Sequence, residues 1–213
     1  MSISFSVMVL AGGRSSRMGR DKAFLPLGGR PLVEHVLDRV APLSDDVLLV
    51  VREAEPFRHL PVRLVEDRPG PRGALTGLVS GLREVRHEWA LAVACDMPFL
   101  NPRLIRHMAL LAPGHDVVIP QAGGLLEPLH AFYRRTCLGP MEDLLRQGEQ
   151  KVIAFFPRVR VRVVDEKDLE SLDPGHLSFW NINTPEDWER AQQLYAEQKR
   201  ERGLSSLGGV VRA

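Results

Sequence analysis

The stretch VMVLAGGRSSRMGRDK, residues 7–22, decides the fold. An apolar run, FSVMVLA at 5–11, stops at Gly12 and Gly13, and Arg14, Arg17, Arg20 and Lys22 follow with Asp21 the one opposing charge. A buried strand that opens into glycines brings backbone N–H groups close to any anion bound there. Four cations on one short loop repel one another, so an anion from outside the polypeptide is the natural counter-charge. Charged hydrogen bonds to phosphate contribute roughly 1.5–3 kcal/mol each, enough to offset that repulsion. The spacing is neither G-x-G-x-x-G nor G-x-x-x-x-G-K-[ST], since Gly19 lies six residues after Gly13 and Lys22 three after Gly19. The loop reads as a phosphate site of another design; the alternative is a solvated basic loop with glycines placed for turns.

Outward from this loop, short apolar runs alternate with amphipathic ones. VLLVV (47–51), VRLVE (62–66), WALAVAC (89–95) and DVVIP (116–120) join 5–11 as buried strands. Residues 31–41, 73–86 and 102–112 repeat apolar side chains at helical spacing. That alternation predicts an α/β fold of βαβ units with a mainly parallel sheet. In such sheets ligands bind beyond the carboxyl ends of the strands. After residue 120 the rhythm changes: two extended arms flank Gly123-Gly124, a helix is expected over 140–156 and an exposed strand over 159–165. A final helix is capped by Thr184 with Pro185 in its first position, and fraying is expected from about Gly203.

Composition narrows the function. Twenty-eight Lys and Arg against 27 Asp and Glu leave no global basic field, which argues against nucleic acid as a partner. No apolar run reaches the roughly 18–20 residues that span a bilayer, so no membrane role is expected. Cys95 and Cys137 have no metal spacing and form no disulfide framework; with a start lacking a basic n-region, they point to the cytoplasm.

LAGGRSSRMGRDK resembles the signature loop L-A-G-G-x-S-x-R-M-G-x-D-K of the molybdenum cofactor guanylyltransferases. Asp67 with GPRGALTGL after it, CDMPFL at 95–100, EPLHAFYRR at 127–135 and FWNINTPEDW at 179–188 extend the likeness in order over nearly residues 5–195. The resemblance implies a three-layer α/β/α Rossmann-like nucleotidyltransferase fold, with residues 1–200 one domain and 201–213 a frayed tail. It implies transfer of GMP from GTP to the terminal phosphate of molybdenum-molybdopterin, with release of pyrophosphate. GTP and molybdenum-molybdopterin are then the partners and Mg²⁺ the metal, with Mn²⁺ as the alternative. The chain is expected to be a monomer, and the resemblance leaves open whether an accessory GTP-binding protein or a molybdenum-insertion protein docks to deliver substrate.

By this likeness Arg17 and Lys22 are catalytic contacts to the triphosphate, and the backbone of Leu10, Ala11, Gly12 and Gly13 lines the base and ribose. Gly13 is small where bulk would close the approach, and L-A-G-G goes with guanine where related cytidylyltransferases carry L-A-A-G. Asp96 ends an apolar strand, where a carboxylate needs a cation beside it; the likeness makes it the Mg²⁺ ligand, and a turn-forming Asp before Met-Pro is the plainer alternative. Asp67 becomes a nucleotide contact, or else a salt-bridge partner of Arg68 or Arg72. Asn181 and Asn183 share one face if the chain is extended there, and would meet the metal or the pterin phosphate; Asn before Thr-Pro also suits a turn. Where family members place an Asn at the end of the second strand, this chain has Val50. His130 reads as lining or structure, because a phosphate nucleophile is already ionised. A cytidylyltransferase or sugar-phosphate nucleotidyltransferase on the same fold, or a nucleotide-binding module without catalysis, are the competing readings.

Overall fold

The computed structural model describes residues 3–12, 21–67 and 73–208, with side chains through 201. Strand β1 (Phe5–Ala11) is buried along its whole length, which requires cover on both faces. Its side chains alternate accordingly. Val7, Val9 and Ala11 enter one core; Met8 and Leu10 enter another. A short hairpin, β2 (Pro26–Leu27) and β3 (Arg30–Pro31), precedes α1 (Leu32–Val40). There follow β4 (Val47–Val51), β5 (Arg63–Glu66), α2 (Ala74–Glu84), β6 (Trp89–Ala94) and α3 (Pro102–Leu110). The second half holds β7 (Val117–Ala122), β8 (Leu125–Leu126), β9 (His130–Arg134), α4 (Leu138–Arg146), β10 (Val161–Val164), α5 (Glu166–Leu172) and α6 (Pro185–Gly208).

The main sheet runs β10-β7-β9-β6-β1-β4-β5, with β8 paired to β7. Strands β6, β1, β4 and β5 are mutually parallel, β10 is parallel to β7, and β9 runs antiparallel to both β6 and β7. Helices α1, α3 and α5 cover one face, and α2 and α4 the other. The expected α/β/α layering is therefore present. Because the chain leaves β1 for β4 on one side and returns to β6 on the other, the order reverses beside β1, and a crevice opens at the strand ends there.

Local chemistry sets the boundaries. Asn101 caps α3 by accepting from the Arg103 amide at 2.9 Å, with Pro102 first in the helix. Thr184 accepts from the Asp187 amide at 3.1 Å to cap α6, as the sequence predicts. Gly123 and Gly124 both take left-handed φ, which the two-residue turn between β7 and β8 demands. One expectation changes. The single helix over 140–156 is instead α4 followed by a 3₁₀ run, Val152–Arg158, because Gly148 turns left-handed just past the helix. The backbone of the last helix runs to Gly208. Among the described residues no helix is long and apolar enough to cross a membrane.

Candidate active site

A cleft of about 350 Å³ lies over the carboxyl ends of β1, β4, β5 and β6. Leu10, Ala11 and Gly12 bring β1 into it; Val50 and Arg52 come from β4, Asp67 from the end of β5, and Cys95 and Asp96 from the end of β6. Asp21 and Lys22 close one side, and Gly73, Ala74 and Gly77 bring the first turns of α2. An 11-residue helix that starts at a cleft turns the positive end of its dipole toward it.

One end of the cleft holds three polar side chains from distant parts of the chain. Lys22 Nζ lies 2.9 Å from Asp96 Oδ2 and 2.6 Å from Asn183 Oδ1. Lys22 is placed by a single 3₁₀ turn, Lys22–Phe24, that Asp21 caps by accepting from the Ala23 amide at 3.0 Å. Asn183 is brought in by a backbone bond, since the Ile182 amide donates to the Asp96 carbonyl at 3.1 Å. Asp187 then accepts from the amides of Asn183 and Thr184, which fixes the entry into α6. The Lys22–Asp96 pair is mostly buried, with side chains 18% and 15% exposed.

The other end is close-packed. Asp67 sits between two glycines. A Cβ at Gly12 would stand 3.3 Å from Asp67 Oδ2, and one at Gly77 would stand 3.0 Å from Leu10 Cδ2 and 3.7 Å from Asp67 Oδ1. Burial raises the Asp67 pKa above the ordinary carboxylate value, against the pull of the Ser80 hydroxyl and the Arg52 guanidinium. Its Oδ1 is buried and has no hydrogen-bond partner among the described residues. Strands β5 and β6 are three steps apart in the sheet, so Asp67 and Asp96 stand on the order of 14 Å apart. The cleft thus has a carboxylate at each end and a cation beside each.

The expected site residues fall out unevenly. Leu10, Ala11, Gly12, Lys22, Asp67 and Asp96 line one cleft, and Asn183 joins Lys22 at its edge. Gly13 and Arg17 lie outside the described residues. Asn181 does not reach Lys22: its amide donates to the Phe179 carbonyl at 3.1 Å, and its own carbonyl accepts from Asn183. The L-A-G-G and L-A-A-G patterns part at their third position, which is Gly12 rather than Gly13, so Gly12 is where added bulk would press on Asp67. Val50 lines the cleft with an apolar surface. Arg52 is the residue the sequence reading missed, and its one signal is a cation just beyond the carboxyl end of a parallel strand. His130 is fully buried; its Nδ1 lies 3.3 Å from the Ser178 carbonyl, Nε2 has no partner among the described residues, and burial pushes its pKa down to about 4.

Residues 7–163 match the MobA-like NTP transferase domain family. The chain belongs to that family. A molybdenum cofactor guanylyltransferase from Desulfosudis oleivorans is 39% identical over 187 residues, 87% of this chain and 93% of the relative. A second molybdenum cofactor guanylyltransferase, from Syntrophotalea carbinolica, is 33% identical over 87% of this chain and 89% of its own. Among solved structures, molybdopterin-guanine dinucleotide biosynthesis protein A from Archaeoglobus fulgidus superposes with a TM-score of 0.80 at 29% identity, covering 91% of this chain and 100% of that one. A 2-C-methyl-D-erythritol 4-phosphate cytidylyltransferase from Thermus thermophilus reaches a TM-score of 0.69 at 19% identity, over 91% of this chain and 100% of its own, which shows the shared fold. The family match ends at residue 163, so Asn183 and all of α6 lie beyond it.

Proposed function

We propose that this family member transfers GMP from GTP to the terminal phosphate of molybdenum-bearing molybdopterin and releases pyrophosphate. The observation that carries the reading is the convergence of Lys22, Asp96 and Asn183 at one end of a cleft whose far end is built around Asp67. Attack of a phosphate on a phosphate joins two anions, so fixed positive charge at the reacting atoms is the main catalytic requirement. Lys22 supplies it, and its ammonium would follow charge onto the departing pyrophosphate. The α2 N-terminus adds the positive end of its helix dipole toward the phosphates. No general base is needed, in keeping with His130 being neutral and sealed from the cleft.

The donor set suits a hard divalent ion. Among the described residues no three His, Cys, Asp or Glu side chains form an all-protein metal cage. Asp96, with Asp21 lining the same cleft, instead offers the one or two carboxylates that Mg²⁺ uses alongside substrate phosphate oxygens. Asp96 would hold that ion, Mg²⁺ with Mn²⁺ as the alternative, which supplies further positive charge against the phosphates. Asp67 is a half-buried acceptor lining the cleft, suited to N–H or O–H donors of the nucleoside, and Gly12 leaves room for a purine to approach its Oδ2. Leu10 and Val50 give the flat base an apolar floor.

The test is formation of the guanine dinucleotide and pyrophosphate from GTP and the pterin acceptor, with Mg²⁺ or Mn²⁺, beside a panel of ATP, CTP and UTP. Turnover with GTP above the others is expected. Turnover with CTP or UTP alone would replace the guanine assignment, and binding of GTP without transfer would make the chain a nucleotide-binding module.

A further inference from the structure

Helix α6 does more than carry Asn183 at its start. Trp188, Gln192 and Tyr195 fall on one of its faces, and all three meet the hairpin that directly follows the Lys22 turn. Trp188 Nε1 donates to the Pro26 carbonyl at 3.0 Å. Gln192 holds β2 and the first residue of the turn after it: Nε2 donates to the same Pro26 carbonyl at 2.8 Å, and Oε1 accepts from the Gly28 amide at 3.1 Å. The Tyr195 ring lies so close that a Cβ at Gly28 would stand 2.1 Å from Cε1, and Gly28 has φ +58 as well. Tyr195 also meets His35 edge-on, and His35 Nε2 lies 2.8 Å from the Leu27 carbonyl. Beneath these bonds Leu25, Leu27, Leu32, Phe99, Ile182 and Ala191 form a small core of their own, separate from the two that flank the sheet.

The Lys22 segment and α6 are therefore tied twice, at Lys22–Asn183 and again at Pro26–Gly28. Two attachments fix an orientation where one would act as a pivot. We propose that α6 is a clamp, with Gln192 a positioning residue that holds the Lys22 ammonium in register with Asp96 and Asn183. The catalytic part of this inference rests on Lys22 acting on the phosphates, as argued above; the geometric part does not. Gln192 is half-buried and contributes no apolar core, so its loss acts on the hairpin's hydrogen bonds rather than on packing.

The experiment compares Gln192→Ala in the wild-type and Lys22→Ala backgrounds, and measures amine labelling of Lys22 by peptide mass spectrometry. Small misplacements of a catalytic group cost large factors in rate, so kcat is expected to fall about tenfold with KM for GTP within about twofold. In the Lys22→Ala background the same change should cost nothing further, because its effect passes through Lys22. Labelling of Lys22 should rise severalfold while the exposed Lys151, Lys167 and Lys199 are unchanged. Unchanged Lys22 labelling, or an equal loss of kcat in both backgrounds, overturns the clamp. If wild-type protein transfers no nucleotide at all, the labelling result still decides the clamp while the functional reading falls by itself.

Discussion

The two rims of the sheet treat charge in opposite ways. At the amino ends of the strands, Asp46 is sealed in and fully served: it accepts from the Ser6 hydroxyl at 2.6 Å, the Arg63 guanidinium at 2.7 Å and the Arg86 amide at 2.9 Å. Burial alone would raise its pKa, and these partners together hold it below the ordinary carboxylate value instead. On the same rim Asp116 is gripped by both sides of the Arg160 guanidinium, which holds its pKa well below the usual range. At the carboxyl ends, Asp67 has a raised pKa and an oxygen without a partner among the described residues, and Lys22 joins two acceptors at the other end of the cleft. Satisfied carboxylates pin the strands together. Under-satisfied ones are what a ligand can complete.

The sharpest way to break this contrast is Lys22→Ala, expected to lower GMP transfer about 10²–10³-fold with little loss of melting temperature. Its counterpart is Asp46→Ala, which leaves a buried hydroxyl and two arginines without their acceptor. It should cost about 2–4 kcal/mol in denaturant unfolding while the residual folded enzyme keeps its kcat.

Acid separates the rims by pH window. The depressed Asp46 and Asp116 stabilise the fold above the unfolded value of 3.8, and that contribution is lost as pH falls below it through their folded values. His130 acts earlier. The unfolded chain takes up a proton near 6.5 and the folded one only near 4, so stability declines as pH falls between those values. At about 1.4 kcal/mol per pH unit, that window is worth about 3 kcal/mol, and His130→Phe should flatten the slope of unfolding free energy against pH there.

Smaller effects belong to the Asp67 end of the cleft. Asp67→Asn removes a carboxylate that folding disfavours, so it should raise the melting point slightly while lowering kcat/KM for GTP about 10–30-fold. Arg52→Gln, which leaves Lys22 and Asp96 in place, should raise KM for GTP about 3–10-fold with kcat unchanged. A larger fall in kcat than in affinity would move Arg52 to the reacting end.

What could be read in advance follows from how local each signal is. Gly12 after β1, the placement of Asp96 at the end of β6 and the Thr184 cap all depend on neighbours within a few residues, and each stands where the pattern puts it. The antiparallel insertion of β9 between β6 and β7 is a matter of long-range pairing that its own five residues do not announce. The division of the 140–156 helix turns on a single glycine conformation. Arg52 has no motif around it, and the separate fates of Asn181 and Asn183 depend on a carbonyl of Asp96 far away in sequence.

That distance matters while the protein is being made. Chains emerge from the ribosome amino end first, at about 5–20 residues per second, and Lys22 waits for a partner 161 positions downstream. Lys22 emerges with its Asp21-capped turn before either of its acceptors has been translated. A nascent chain halted before Asn183 would own the sheet and Asp96, yet Lys22 would lack one of its two acceptors.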